Sequence, residues 1–207
     1  GCSNTGVDIA GESEGRVKRE ADHMSEGEEA TVSTEAKRGR SLTPFYQNLV
    51  AQVGGLIGDV TDWVANCANV SSLVYHELAK EKGDGVVNWC GFYLRRPDKP
   101  ATLLLGPFQG KPACLHIPIG KGVCGTAAQT ATTHVVPNVH QFPGHIACDA
   151  ASNSEIVVPI IAQSGQTHVI GVFDLDSTSL DCFNDDDKAG LEQVVAELVK
   201  RTQFAFP

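Results

Sequence analysis

The 207-residue sequence has no apolar run near the ~18 residues that a membrane-spanning helix requires, which argues against a helical membrane protein. It is also short of basic charge. With 16 Lys and Arg against 25 Asp and Glu, the net charge is −9. A protein relying on phosphate contacts shows the opposite balance, so no nucleic-acid partner is expected. Internal repeats are absent, and so is any Cys-x-x-Cys pair, the spacing that would mark a zinc knuckle. No hydrophobic secretory leader precedes the seven cysteines, whose odd number and scattered positions do not frame a disulfide scaffold. Such usage fits a reducing, cytoplasmic setting, where thiols are packed as small apolar groups or kept for chemistry.

What is present divides in two. Residues 1–40 hold charge runs such as Glu26-Gly27-Glu28-Glu29 and Lys37-Arg38-Gly39-Arg40, no aromatic residue and few large aliphatics. That composition cannot bury enough apolar surface to offset the entropy of ordering, so a flexible tail is expected. If an initiator Met stood before Gly1, the start would match a myristoylation pattern with Cys2 placed for palmitoylation, and two acyl chains would anchor the protein to a membrane surface. Membrane contact is expected only in that case. Residues 41–207 carry the patterning of one globular domain.

Thr43-Pro44 is a helix start, a cap residue followed by proline at the first helical position. A second helix is expected over 61–80, with Trp63, Val64, Cys67, Val70, Val74 and Leu78 as its apolar stripe. The last begins at Asn184, carries Asp185, Asp186 and Asp187 on its positive end and buries Leu191, Val194, Val195 and Leu198. Between them lie strand-like runs at 86–94, 102–105, 134–136, 155–161 and 167–176, with a short helix over 122–129. The expected fold class is α+β: a mainly antiparallel central sheet, helices packed on one face, and a ligand pocket on the other.

Alternation along strands sorts the side chains. Trp89 and Tyr93 fall on one face with Gly91 between them, whereas Cys90, Phe92 and Leu94 fall on the other. Asp174 and Asp176 share a face opposite Phe173 and Leu175. Two adjacent carboxylates repel unless a cation, proton or donor lies between them, although a strand end running into solvent would also tolerate them. If the strand opened by Glu155 adjoins them, three acids converge. That arrangement suits a ligand ammonium and can hold one acid protonated as a proton donor.

Cys114, Cys124 and Cys148 lie in glycine- and proline-rich connections, unlike Cys67 and Cys90 on regular apolar faces. Cys124 falls near a helix start, where the dipole favours thiolate. Cys148 ends a long loop that holds His140 and His145, and loops over a rigid sheet commonly carry catalytic groups. Cys114, Cys124, His145 and Cys148 could instead ligate zinc, a reading weakened by the missing Cys-x-x-Cys; no resident metal is expected.

Five stretches together resemble the free methionine-(R)-sulfoxide reductases, thiol enzymes built on a GAF domain. They are Asn88–Tyr93, Leu105–Gly110, Gly122–Thr126, the long block Val139–Glu155 and Gly171–Ser177, within a similarity spanning residues 43–203. The resemblance implies a GAF-like domain over 41–207 with a pocket closed over one amino acid. It implies three redox cysteines at Cys148, Cys114 and Cys124, and a substrate site of Trp89, Tyr93, Glu155, Asp174 and Asp176. The implied reaction is thiol-dependent reduction of free L-methionine (R)-S-oxide, with attack by Cys148, a cysteine sulfenic acid and a disulfide to Cys114. Cys124 stands as an alternative resolving thiol. No bound cofactor is implied; thioredoxin or another dithiol protein is the expected reductant, and a homodimer is compatible with the pattern. The rival is a non-catalytic GAF module that senses a small ligand or redox state, because a scaffold alone proves no function.

Overall fold

The computed structural model describes residues 41–144, 149–162 and 168–204. The chain divides into two units, Gly1–Arg38 and Gly39–Pro207. The first unit lies outside the described residues, and with it the expectations of a flexible tail and of acylation at Gly1 and Cys2. Every helix and strand among the described residues belongs to the second unit.

Two helices open the domain. In α1 (Pro44–Ile57), Thr43 caps the first turn by accepting from the Tyr46 amide at 3.4 Å, and Tyr46, Leu49, Val53 and Ile57 are buried at helical spacing. In α2 (Trp63–Lys82), Asp62 caps by accepting from the Ala65 amide at 2.8 Å, and Cys67, Val70, Val74 and Leu78 are buried. Val64 is not on this stripe. It is exposed, since it sits about 100° round the helix from Trp63. No helix among the described residues is long and apolar enough to cross a membrane.

Six strands follow: β1 (Val87–Arg96), β2 (Lys99–Gly110), β3 (His116–Pro118), β4 (His134–Val136), β5 (Ser154–Ile161) and β6 (Val169–Ser177). They form one sheet in the order β3-β2-β1-β6-β5-β4 with every pair antiparallel, as the residue pattern implied. Strand β2 begins three residues earlier than the pattern indicated, and β3 was not foreseen. A short helix, α3 (Gly122–Thr130), lies between β3 and β4, and α4 (Asp185–Arg201) closes the domain. Asn184 and Asp187 form a reciprocal capping box at the start of α4, and its three leading aspartates complement the helix dipole.

The sheet has two apolar faces. One packs Cys90, Phe92, Leu94, Ile156, Val158, Phe173 and Leu175 under α1, α2 and α4, and Phe92 stacks on Phe173, its strand partner, at 4.5 Å between ring centroids. Each such fully buried side chain contributes about 1.5–3 kcal/mol. The other face carries Trp89, Tyr93, Val157 and Val172 with Ile117, Val123, Cys124 and Ala127. Helix α3 therefore lies opposite the other three helices, a placement that strand and helix periodicity alone did not reveal, and it roofs the site.

Candidate active site

Strand pairing brings the acids together. Glu155 on β5 is the direct partner of Asp176 on β6, and Asp174 faces Val157 one step along. Trp89 on β1 is the partner of Asp176 from the other side, and Gly91 of Asp174. Because residues two apart on a strand share a face, all three carboxyls and both aromatics point away from the helical core. They line one cavity with Cys124, Val123 and Gly122 of α3, Pro112 and Ala113 of the β2–β3 connection, Ile117 of β3, and Asp149 and Ser152.

That cavity holds about 30 Å³ of free volume, room for one or two waters.

Aromatic rings form one wall. Trp89 stacks on Tyr93 at 5.6 Å and on Phe108 at 5.3 Å, so Phe108 of β2 extends the pair read from the sequence into a three-ring stack. Gly91 makes this possible, because a Cβ there would run into Phe108 and the indole of Trp89. The indole fills the space that the glycine leaves. The indole nitrogen donates to the Lys111 carbonyl at 3.2 Å, tying the wall to the segment that carries Cys114.

The acids occupy dry ground. Glu155 is 6% exposed and Asp174 5%. Burial first, and then the neighbouring carboxylates, push Glu155 and Asp176 well above the usual carboxylate range, so the trio holds protons at neutral pH. Asp174 is raised by burial to about 6, held from going higher by hydrogen bonds from Cys124 and Glu155. Glu155 therefore carries a proton shared toward Asp174, and Ser152 hydrogen-bonds Asp176. One Asp174 oxygen, Oδ1, is buried without a hydrogen-bond partner. An acceptor left so in a cavity is matched by what enters it, such as an ammonium group.

Cys124 sits among these acids, its Sγ 3.8 Å from Glu155 Oε1. The helix-dipole argument for a thiolate fails here: burial and the surrounding carboxylates push this thiol well up instead. Cys124 Sγ and one oxygen each of Glu155 and Asp174 lie within 4.8 Å of one another. Cys114, half-buried beside the cavity-lining Ala113, is half of a disulfide, which removes it from the alternative zinc set in this state. Cys67, Cys90, Cys124 and Cys182 are free thiols, so its partner is not among the other described cysteines. Cys90 lies in the helical core, as its face implied. Cys148 and His145 lie outside the described residues.

Sequence reasoning missed the frame around these groups. Asn88 donates to Asp149 Oδ2 at 3.3 Å and to Ser152 Oγ at 3.1 Å. Asp149 also accepts from the Ala151 amide and meets Lys111 at 3.5 Å, joining the residue after Cys148 to the one three before Cys114. Adjacency to Cys148 was the available signal for Asp149; Asn88 gave none beyond its place beside Trp89.

The GAF domain family model matches residues 66–201. The chain is 48% identical over 158 residues to the free methionine-R-sulfoxide reductase of Escherichia coli, covering 76% of this chain and 88% of that one. It is 46% identical over 158 residues to the Saccharomyces cerevisiae protein of the same name, covering 76% and 85%. The crystal structure of the free methionine-R-sulfoxide reductase from Neisseria meningitidis in complex with its substrate superposes with a TM-score of 0.69 at 37% identity, over 78% of this chain and 92% of that one. By the extent of these matches and the shared GAF fold, the chain belongs to the free methionine-R-sulfoxide reductase family.

Proposed function

We propose that this protein reduces free methionine (R)-sulfoxide to methionine at the cavity between α3 and the outer face of the sheet. The observation that supports it most is the convergence of a proton-bearing acid trio, a three-ring aromatic wall and a disulfide-bonded cysteine on one side of the sheet. A sulfoxide sulfur becomes electrophilic when its oxygen receives a proton, and Glu155 is placed to give one. Asp174 and Asp176 take the substrate ammonium, for which Asp174 Oδ1 is already vacant of donors. Trp89 and Tyr93 pack on the thioether chain. A peptide-bound methionine lacks that ammonium, which accounts for the choice of the free amino acid.

Cys148 is the proposed nucleophile. Its thiolate attacks the protonated sulfoxide, the sulfoxide S–O bond breaks with its electron pair kept by methionine, and the hydroxyl passes to Cys148 as sulfenic acid. The Cys114 thiol then attacks that sulfur, water leaves and a disulfide forms. Two thiols have thereby supplied the two electrons that the sulfoxide gained. The disulfide state of Cys114 and the Lys111–Asp149 bridge, whose members stand near Cys114 and Cys148 in the sequence, support this pairing. Thioredoxin or another dithiol protein restores the thiols by exchange, in the reducing cytoplasm that such a cycle needs. Cys124, held as a thiol among the acids, serves as an alternative resolving group.

The test is methionine release from each sulfoxide epimer with excess dithiol. Wild type turns over the R epimer, and Cys148→Ser abolishes turnover. Undiminished release by Cys148→Ser, with loss in Cys124→Ser instead, transfers the nucleophile to Cys124. No release by wild type leaves a ligand sensor.

A further inference from the structure

We propose that, when no substrate is present, the same cavity binds a thiophilic divalent cation of the zinc class between Cys124, Glu155 and Asp174, and that this ion and the amino-acid substrate exclude each other. The donors are already close. Cys124 Sγ and Glu155 Oε1 stand 3.8 Å apart, and all three donor atoms lie within 4.8 Å of one another. A tetrahedral zinc ion with Zn–S of about 2.3 Å and Zn–O of about 2.0 Å sets adjacent S···O pairs at about 3.5 Å. Side-chain movements on the order of an ångström therefore bring the three donors onto one ion.

A second observation points to a cation rather than to a merely acidic corner. Asp174 Oδ1, on a side chain 5% exposed, accepts no hydrogen bond. A buried carboxylate oxygen without a donor has lost its hydration without gaining a partner, and a cation supplies one. The cavity's 30 Å³ suits a small ion with one water as its fourth ligand. One sulfur and two oxygens also select the ion: magnesium and calcium prefer all-oxygen shells, whereas zinc accepts the mixed set. Binding displaces the thiol proton of Cys124 and the carboxylic proton of Glu155 to solvent.

Occupancy would matter to the cycle. Cys124 is a free thiol while Cys114 is in its disulfide, so the donor set survives in the oxidised protein. The substrate ammonium addresses the same Asp174 oxygen, and the two cations, metal and ammonium, compete for it.

Cadmium alone, added to the full-length protein with its disulfide kept oxidised, tests the site. A sulfur-to-cadmium charge-transfer band in the ultraviolet is expected to saturate at one equivalent, to disappear in Cys124→Ser and to be suppressed by saturating methionine. Glu155→Gln, which keeps the side-chain volume, is expected to weaken zinc binding by roughly 10–100-fold, the range known even for outer-shell groups. In the reduced enzyme zinc should raise KM for the sulfoxide and leave kcat unchanged. No band, a band that persists in Cys124→Ser, indifference to methionine or unchanged zinc affinity in Glu155→Gln would each overturn the proposal. The band needs no turnover, so its absence condemns the metal site alone, while absent methionine release condemns the reductase reading alone.

Discussion

Replacing Asp174 with asparagine removes one of three clustered carboxyls while keeping its size and an acceptor oxygen. In the folded protein burial raises this group from its ordinary 3.8 to about 6. The sign follows from linkage. Below about pH 4 both folded and unfolded chains hold the proton, and the group's burial costs nothing extra. From there to about pH 6 the unfolded chain ionises while the folded one does not, so stability falls as pH rises. Above that both are ionised and the full penalty stands. At about 1.4 kcal/mol for each pH decade the penalty amounts to about 3 kcal/mol. Asp174→Asn escapes it. The variant should match wild type or fall slightly below it at about pH 4, and gain on it by about 3 kcal/mol by about pH 7.5. For a domain of this size that is roughly 6–12 °C in midpoint temperature. Urea or thermal unfolding at several pH values measures the gap. Saturating methionine, by bringing an ammonium to the carboxylate, should narrow it by stabilising wild type more than the variant. A gap that stays constant from about pH 4 to pH 7.5 would refute the reasoning, since it would place Asp174 in solvent-like surroundings.

Two further outcomes are expected. Glu155→Gln should lower kcat by about 10²–10⁴-fold, and wild-type kcat should fall as pH rises through the raised range of this acid, because only its protonated form donates; an unchanged rate–pH profile in the variant would assign the proton elsewhere. Gly91→Ala should cost about 1–3 kcal/mol through overpacking against Phe108 and Trp89, and should raise KM by displacing the indole; wild-type thermal stability together with wild-type KM would show that the ring stack is dispensable.

Much of the fold was legible because its signals are local. The caps at Thr43 and Asn184 and the opposed faces of β1 and β6 follow from cap chemistry and strict alternation over five or more residues. What escaped was set at a distance. Strand β3 is three residues long and exists through its pairing with Thr102–Leu104, so nothing within it announces a strand. Phe108 lies in a glycine- and proline-bearing stretch that reads as a connection, and its role appears only when β2 runs on to Gly110 beside Trp89. The convergence of Glu155 with Asp174 and Asp176 was conditional on β5 adjoining β6, a neighbour relation that periodicity cannot supply. Cys124 shows the opposite failure. Its position in the first turn of a helix was visible, but the acids that outweigh the helix dipole come from strands more than thirty residues along the chain.

Strand β6 alternates Phe173 and Leu175, buried under the helices, with Asp174 and Asp176, which line the cavity. A single-residue insertion or deletion upstream within that strand would slide two negative groups into hydrocarbon and two oily ones among the reacting atoms. Chemistry and folding thus share one phase along this strand, and neither can drift while the other is kept. Variation is better tolerated in the strand's flanking turns, where a change in length leaves that phase intact.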